Sequence, residues 1–260
     1  MCVTCGCGDA GGAEHEHVHA DGTRHSHSHP HQHHPLPLAG RDSNTIRLET
    51  QILGKNQLIA TRNRDWLEER QVLALNLVSS PGAGKTTLLE RTLTDLKGQM
   101  RIGVVEGDQA TSNDADRIRA TGVPAVQINT GTGCHLEADM LERALSALNP
   151  PPASLLLIEN VGNLVCPALF DLGERAKVVI FSVTEGDDKP LKYPHMFGAA
   201  DVMILSKLDL APHVRFDMQR AVENALSVNP RLTVFPVSAY TGLGMSAWYG
   251  WLRHELAMCA

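Results

Sequence analysis

A glycine-rich segment between residues 79 and 87, SSPGAGKTT, combines the residue types that hold phosphate. Gly82 and Gly84 allow the backbone to curl so that successive N–H groups point at phosphate oxygens. Lys85 can reach the outer phosphates of a nucleoside triphosphate, and the Thr86 hydroxyl can bind Mg²⁺. Ser79 stands where such loops usually begin with glycine. We expect the phosphates to contact Gly82, Ala83, Gly84, Lys85, Thr86 and Thr87.

Two later segments indicate that the base is guanine. The sequence SKLD, which ends at Asp209, resembles the guanine-selecting NKxD motif and follows an apolar run. Asp209 would accept hydrogen bonds from guanine N1 and N2, which adenine cannot donate, while the Lys207 stem would lie along the base. Ser206 replaces the usual asparagine, so we expect a weaker base contact there. Ser238 and Ala239 end another apolar run, where GTPases place a second base-contacting segment, so GTP is favoured over ATP.

Two acidic residues that follow apolar runs are candidates for Mg²⁺ binding and catalysis. Asp108 ends VEGD, and Glu159 begins an ExxG sequence that Gly162 completes. A carboxylate at such a position can hold Mg²⁺ through water, and the Gly162 amide can sense the terminal phosphate. The candidate catalytic residues are therefore Lys85, Asp108 and Glu159, and which acid positions the attacking water stays open. The expected switch runs from Asp108 to Asp116.

Three cysteines and nine histidines within the first 40 residues indicate metal binding. Cys2, Cys5 and Cys7 place three thiols within a six-residue span, so no fixed secondary structure is needed to surround one ion. Three thiolates with one nitrogen suit square-planar Ni²⁺ and also tetrahedral Zn²⁺. The histidine run favours binding of several metal ions with fast exchange over binding of one ion at a single tight site. Incidental cysteines and a tag-like histidine tract are the alternatives.

A second cysteine group lies farther along the chain. Cys134 and His135 are adjacent at the start of a helical pattern, and Cys166 follows Gly162 by four residues. Two buried cysteines and a helix-capping histidine would be the ordinary structural explanation. The place of Cys166 favours a metal site, because an ion there would respond to the terminal phosphate. Three ligands from one chain do not complete the coordination of an ion, which favours a metal site shared across a symmetric dimer.

The alternation of apolar runs and helical patterns predicts the fold that positions these residues. Continuous apolar runs suit strands covered on both faces, so we predict an α/β fold with a doubly wound, mainly parallel sheet. The predicted strands are Val72–Val78, Ile102–Val105, Ala125–Ile128, Leu155–Ile158, Val178–Val183, Val202–Leu205 and Leu232–Val237. The predicted helices are Thr86–Leu96, Asn113–Ala120, Leu136–Leu148, Phe216–Ser227 and Met245–Leu256.

Composition divides the chain of 260 residues into three parts. Residues 1–40 contain too little apolar surface to offset their chain entropy, so we predict a Cys/His-rich tail that is disordered without ligand. Residues 41–70 form a predicted helical segment, and residues 71–260 a P-loop GTPase domain. The net charge of −6 gives no reason to expect nucleic acid. Without a signal peptide or an apolar stretch of about 20 residues, we expect a cytoplasmic protein that does not bind membranes.

Together these motifs resemble the HypB family, the nickel-incorporation GTPases of [NiFe]-hydrogenase maturation. The resemblance covers nearly the whole chain. It rests on CVTCGCG (2–8), the histidine tract, SSPGAGKTT (79–87), EGDQATSNDADRI (106–118), GTGCHLEADM (131–140), IENVGNLVCP (158–167) and TEGDDKPLKYPHMF (184–197).

The resemblance implies a SIMIBI-class GTPase domain, a homodimer favoured by GTP and a HypA-type metallochaperone partner. It also implies an internal metal site at Cys134, His135 and Cys166, where Zn²⁺ is an alternative to Ni²⁺, and a separate nickel site on the tail. The nickel would pass to the hydrogenase large-subunit precursor. Residues 187–190 are then a candidate nucleotide or dimer contact, with a solvated loop as the alternative.

Three other functions compete with this hypothesis. One is a metal buffer whose nucleotide domain only governs assembly, and another is a urease-type nickel GTPase, against which both cysteine groups weigh. A regulatory GTPase unrelated to metal explains neither group. We expect slow intrinsic turnover, because no obvious arginine finger or catalytic glutamine follows the ExxG sequence.

Overall fold

The computed structural model describes residues 16–18, 24–26, 43–108, 112–131 and 133–259. The chain divides into two compact units, residues 1–50 and 51–260. In the first unit, strands β1 (Glu16–Val18) and β2 (Arg24–Ser26) pair antiparallel, which is regular structure that the sequence did not predict there. The predicted disorder of the remaining tail, like the site at Cys2, Cys5 and Cys7, falls outside the described residues.

Helix α1 runs over Ser43–Glu69 and confirms the helical pattern predicted ahead of the nucleotide domain. Its residues from position 51 onward belong to the second compact unit. Within the described part of the chain, no helix is both long and apolar enough to cross a bilayer.

The second unit is built on a seven-stranded sheet in which every pairing is parallel, as predicted. The strands are β3 (Leu73–Ser79), β4 (Ile102–Asp108), β5 (Ala125–Asn129), β6 (Leu155–Gly162), β7 (Ala176–Ser182), β8 (Val202–Ser206) and β9 (Thr233–Pro236). Their order is β5-β4-β6-β3-β7-β8-β9. The central strand β3 is buried at every residue, because helices cover both faces of the sheet.

The helices that follow are α2 (Lys85–Leu96), α3 (Ser112–Ala120), α4 (Ala138–Leu148), α5 (Cys166–Leu169), α6 (Lys189–Lys192), α7 (Pro194–Ala199), α8 (Met218–Val228) and α9 (Met245–Met258), with a 3₁₀ helix at Leu208–His213. The five long helices after α1 match the predicted ones to within two residues. The short helices α5, α6 and α7 were not predicted, because four to six residues are too few for a helical period to show.

One strand prediction was wrong in a way that matters for function. The strand was predicted to end at Ile158, just before Glu159, but β6 continues to Gly162. Leu77 pairs with Glu159 and Ser79 pairs with Gly162, so β6 holds one more residue than β3 over this stretch. This β-bulge bends the strand and re-aims its side chains. The carboxyl ends of β3, β4, β6 and β8 meet at one edge of the sheet, where ligands bind in open α/β folds.

Candidate functional site

The loop between β3 and α2 lines a cavity of 510 Å³. Gly82 and Gly84 have φ angles of 74° and 93°, in the left-handed region that glycine tolerates. Helix α2 begins at Lys85, so its N-terminus and the positive end of its dipole lie at the cavity. The predicted phosphate-binding residues Gly82, Ala83, Gly84, Lys85, Thr86 and Thr87 all line this space.

Glu159 connects the two side chains of the loop that were predicted to act on phosphate and Mg²⁺. Its Oε1 accepts hydrogen bonds from Lys85 Nζ at 2.8 Å and from Thr86 Oγ1 at 2.7 Å. Its Oε2 is buried and has no hydrogen-bond partner among the described residues. Hydroxyl and carboxylate oxygens are the donors that Mg²⁺ prefers, so Thr86 and Glu159 fit that ion directly or through its water.

The predicted phosphate sensor Gly162 lies against the phosphate-binding loop. A Cβ on Gly162 would come within 3.2 Å of the Pro81 backbone, so this close approach favours glycine. Asp108 ends β4 at the same edge of the sheet, but its side chain falls outside the described residues, so its predicted role stays a prediction. Glu106, two residues earlier and 3% exposed, lines the cavity.

A second cavity, of 230 Å³, adjoins the first and contains the residues predicted to read the base. Gly84, Thr87 and Lys207 line both cavities. Asp209 lines the second, and its Oδ1 accepts a hydrogen bond from Ser238 Oγ at 2.5 Å, which fixes the carboxylate. Ala239 lines the same cavity. The structure therefore brings the predicted guanine-binding residues together beside the phosphate loop.

Ser206 has a contact that was not predicted. Its hydroxyl donates to the Ala83 carbonyl at 2.6 Å, and the residue is 4% exposed, while the weaker contact with the base stays a prediction. The neighbouring Lys207 Nζ donates to the Gly82 carbonyl at 2.6 Å. These bonds fasten the base-reading segment to the phosphate loop, so Ser206 positions the loop.

Arg117 was not predicted from the sequence. This residue lies on α3 and lines the phosphate cavity, with Nη2 3.3 Å from Thr87 Oγ1 and 2.6 Å from Glu90 Oε2. Arg117 directly follows the predicted switch segment. This position in the sequence was the one sign that it could lie near the phosphates. The position of its guanidinium makes Arg117 a candidate phosphate contact in addition to Lys85.

Cys134, His135 and Cys166 form a compact group of potential metal ligands, with all ligand atoms within 4.8 Å of one another. The two Sγ atoms are 3.1 Å apart, and Cys134 Sγ is 3.6 Å from His135 Nδ1. Neither cysteine forms a disulfide. The ligand set predicted from chain position is thus brought together, with Cys134 and His135 preceding α4 and Cys166 beginning α5.

The surroundings of His135 favour the form that binds metal. Burial lowers the pKa of its imidazole below the usual value, so the ring stays neutral at neutral pH. The ring lies 3.9 Å from the Phe170 ring, and Nε2 is buried without a hydrogen bond among the described residues. Two thiols and a neutral imidazole fit Zn²⁺ or Ni²⁺, with a further ligand still needed for four-coordination.

Helix α1 holds both ligand-bearing segments. Asn56 accepts a hydrogen bond from the Ala138 amide, and Asn63 donates to the Ala138 carbonyl, at 2.8 Å in each case. Asn63 also donates to the Leu172 carbonyl at 3.0 Å, and Asn56 donates to the Asp171 carbonyl at 2.7 Å. The positions of the two segments that carry the candidate metal ligands therefore depend on asparagines far away in sequence.

The segment 187–190, for which a nucleotide or dimer contact was predicted, does not line either nucleotide cavity. Asp188 pairs with Lys192 at 2.8 Å, and hydrogen bonding to Lys192 lowers the pKa of this carboxyl. Lys189 pairs with Glu185 at 3.1 Å. A dimer contact at this segment stays a prediction.

Comparison with known proteins places the chain in a family. A family model described as the nucleotide-binding domain of CobW/HypB/UreG matches residues 73–236. The chain is 60% identical to hydrogenase maturation factor HypB of Rhizobium leguminosarum bv. viciae over 212 residues, 82% of this chain and 71% of the relative. It is 54% identical to HypB of Escherichia coli strain K12 over 215 residues, 83% of this chain and 73% of that one.

Two solved structures share the fold at 40% sequence identity and a TM-score of 0.73 each. HypB from Archaeoglobus fulgidus corresponds to 78% of this chain and 99% of its own. HypB from Helicobacter pylori in complex with nickel corresponds to 78% of this chain and 96% of its own. The chain belongs to the CobW/HypB/UreG family of nucleotide-binding proteins, and within it to HypB.

Proposed function

We propose that this chain is a GTP-hydrolysing nickel metallochaperone that delivers nickel to the [NiFe]-hydrogenase large subunit during maturation. One observation carries the proposal: Glu159, which contacts Lys85 and Thr86, lies seven residues before Cys166 on one continuous segment. A shift at the phosphate end of this segment is transmitted along the backbone to a candidate metal ligand. The names of the relatives, and the nickel in one related structure, agree with this chemistry.

The nucleotide step uses residues at the sheet edge. Amides of the phosphate loop and the α2 N-terminus bind the phosphates, and Lys85 exchanges its contact with Glu159 for the outer phosphates. Mg²⁺, held by Thr86 and by Glu159 or Asp108, would supply charge neutralisation. Asp209 selects guanine by accepting its N1 and N2 hydrogens. Gly162, packed on the loop, responds to the presence of the terminal phosphate.

Nickel is the cargo of this site. Two thiolates and the neutral His135 imidazole bind it, and the thiolates favour a soft or borderline metal over Mg²⁺. The coupling between sites is reciprocal, since nucleotide changes nickel affinity only by the factor with which nickel changes nucleotide affinity. The same donors suit Zn²⁺, which makes a resident zinc ion the second candidate for this position.

Assembly and partners complete the proposal. A three-ligand site has room for a ligand from a second copy, so GTP-dependent homodimerisation would complete or open it. Cys2, Cys5 and Cys7 would capture nickel separately, and the histidine tract would store it. A HypA-type metallochaperone and the large-subunit precursor are the proposed partners, in the cytoplasm, without nucleic acid or membrane.

The proposal is tested in cells that lack their own copy of this protein but contain a [NiFe]-hydrogenase. The nickel content of the large subunit is measured after supplying wild type, Glu159→Gln or Cys166→Ser, at equal protein levels. We expect both variants to leave the large subunit without nickel, and excess nickel in the medium to restore it. Full loading by both variants would refute the proposal.

A further inference from the structure

Directly after Glu159 lies a buried asparagine that does not line the phosphate cavity and is not one of the candidate metal ligands. Asn160 is 1% exposed and occupies the bulge in β6, between the pairs Leu77–Glu159 and Ser79–Gly162. A bulge takes side chains out of the regular alternation of a strand. The position of Asn160 is therefore tied to that of the phosphate-sensing segment on which it lies.

The oxygen of the Asn160 side chain reaches the segment that carries His135. Oδ1 accepts hydrogen bonds from the Leu136 amide at 3.1 Å and from the Val161 amide at 2.9 Å. Leu136 packs closely on Gly107. A Cβ added to Gly107 would lie 2.7 Å from the Leu136 side chain. A shift of Asn160 must therefore move the residue next to His135 or break a buried hydrogen bond.

The nitrogen of the same side chain is connected, through a series of contacts, to the segment that carries Cys166. Nδ2 donates to Asn76 Oδ1 at 3.1 Å, and Asn76 Nδ2 donates to Glu174 Oε1 at 3.0 Å. Glu174 Oε1 lies 3.5 Å from Lys177 Nζ, which donates to the carbonyl of Pro167 at 2.8 Å. Pro167 follows the cysteine ligand of α5, so one chain of contacts ends beside ligands from both segments.

These contacts are almost entirely shielded from water. Asn76 is fully buried, Glu174 is 9% exposed and Lys177 is 7% exposed. In such surroundings a network whose hydrogen bonds are all formed is rigid. An unpaired buried polar group costs free energy, so the groups tend to move together. The network therefore has the properties needed to transmit a displacement from β6 to both metal-binding segments.

We propose that Asn160 is the positioning residue that couples the nucleotide state to the metal site, an inference that rests on the function proposed above. Asn160 contacts neither metal nor nucleotide. A shift of the segment containing Glu159 and Gly162 moves its side chain, and its hydrogen bond to Leu136 displaces His135 relative to Cys166. Nucleotide thus changes the distance between the metal ligands without touching them.

The test is a nickel titration of full-length protein in which Cys2, Cys5, Cys7 and the nine histidines of the first 40 residues are replaced by alanine, so that the internal site is measured alone. Nickel dissociation constants are determined with GDP and with a non-hydrolysable GTP analogue. With Asn160 intact, the two constants should differ by a factor in the usual allosteric range of about 5 to 150. In Asn160→Ala, that factor should fall to within about twofold of unity.

Asn63→Ala is the matched control. Asn63 holds the same two segments through the Ala138 and Leu172 carbonyls, but it lies on α1, and neither of these hydrogen bonds involves β6. Its loss should weaken nickel binding in both nucleotide states by the same factor. Asn160→Asp keeps an oxygen for the Leu136 amide, so it should retain more of the nucleotide dependence than Asn160→Ala.

Two further measurements separate coupling from damage. Thermal unfolding reports whether each variant is folded, and the nickel–thiolate charge-transfer band reports whether both cysteines still bind. If Asn160→Ala does not fold, Asn76→Ala interrupts the same network one residue away and should also reduce the nucleotide dependence. Equal nickel affinities in both states with Asn160 intact would overturn the proposed function. If folded Asn160→Ala protein keeps the wild-type difference in nickel affinity between the two nucleotides, the role of Asn160 is overturned and the proposed function stands.

Discussion

The Sγ atoms of Cys134 and Cys166 lie 3.1 Å apart, although the residues are 32 positions apart in the chain. Two thiols that approach so closely beside a neutral imidazole form a partial metal-binding set. Their segments are held in place by hydrogen bonds from α1. The central consequence is that the proposed metal site depends on the relative position of two segments, one of which continues from the candidate nucleotide site.

Replacement of Cys166 by serine should abolish tight nickel binding at the internal site. Loss of an outer-shell partner typically costs about 10- to 100-fold in metal affinity, and loss of a thiolate ligand should exceed that. Isothermal titration and the thiolate charge-transfer band measure the effect. Cys259→Ser is the matched control, because Cys259 is a partly buried cysteine outside the ligand group. Unchanged binding by Cys166→Ser would contradict the assignment.

Glu159→Gln should slow GTP hydrolysis by about 100-fold or more, the usual effect of removing one electrostatic contributor to a transition state. The reason is that the Glu159 carboxylate holds the Thr86 hydroxyl and can hold Mg²⁺ with it, directly or through water. Phosphate release under single-turnover conditions is the measurement. Glu142→Gln alters an exposed ion pair with Arg62 and should leave the rate unchanged. Equal rates in both variants would exclude Glu159 from the reaction.

Asp209→Asn should exchange guanine for xanthine specificity. An asparagine side chain can donate to the O2 of xanthine but cannot accept the two guanine hydrogens that the carboxylate accepts. Hydrogen bonds to charged groups contribute about 1.5–3 kcal/mol each, so GTP affinity should fall by at least one such increment. Fluorescent GDP competition with GTP, ATP and XTP measures it. Retained GTP preference would show that Asp209 does not read the base.

Acid should loosen the contact between α1 and the segment after α5. Burial raises the pKa of Asp171, but hydrogen bonds from Arg64, the Gly173 amide and Gln57 outweigh it, so the folded-state pKa is lowered. A lowered carboxyl pKa stabilises the fold above the unfolded value of about 3.9, and this stability is lost as pH falls through the folded value.

Asp171→Asn should therefore unfold more easily at pH 7, by about 1–2 kcal/mol, and lose less stability between pH 5 and 3. Urea denaturation at several pH values provides the comparison. Asp139→Asn, which removes an exposed carboxylate paired with Arg143 within α4, is the control. Parallel stability curves for wild type and Asp171→Asn would contradict the assigned pKa shift.

The sheet and the phosphate loop could be predicted from the sequence because their signals are local. Apolar runs and helical periods extend over contiguous residues, and Gly82 through Thr87 are adjacent in the chain. The guanine-reading residues also lie in short motifs. Grouping Cys134 and His135 with Cys166 was possible because Cys166 follows the phosphate sensor closely, and the resemblance to HypB implied the same set.

The residues that position these ligands could not be found in this way. Asn56, Asn63 and Asn160 act through partners between 24 and 115 positions away, and no local pattern encodes such contacts. The bulge that aims Asn160 depends on the register between β6 and β3. Ser206 showed as a departure from a motif, and its bond to the Ala83 carbonyl appears only when β8 and the phosphate loop are packed together.

Titration of nickel and zinc into Cys134→Ala and Cys2→Ala variants, each with GDP and with a GTP analogue, tests the central claim most directly. If the internal site is controlled by nucleotide, Cys2→Ala keeps a nickel affinity that differs between the two nucleotides, and Cys134→Ala loses that difference. If Cys2→Ala binds nickel equally in both states, or Cys134→Ala keeps the difference, nucleotide does not control nickel through Cys134, His135 and Cys166.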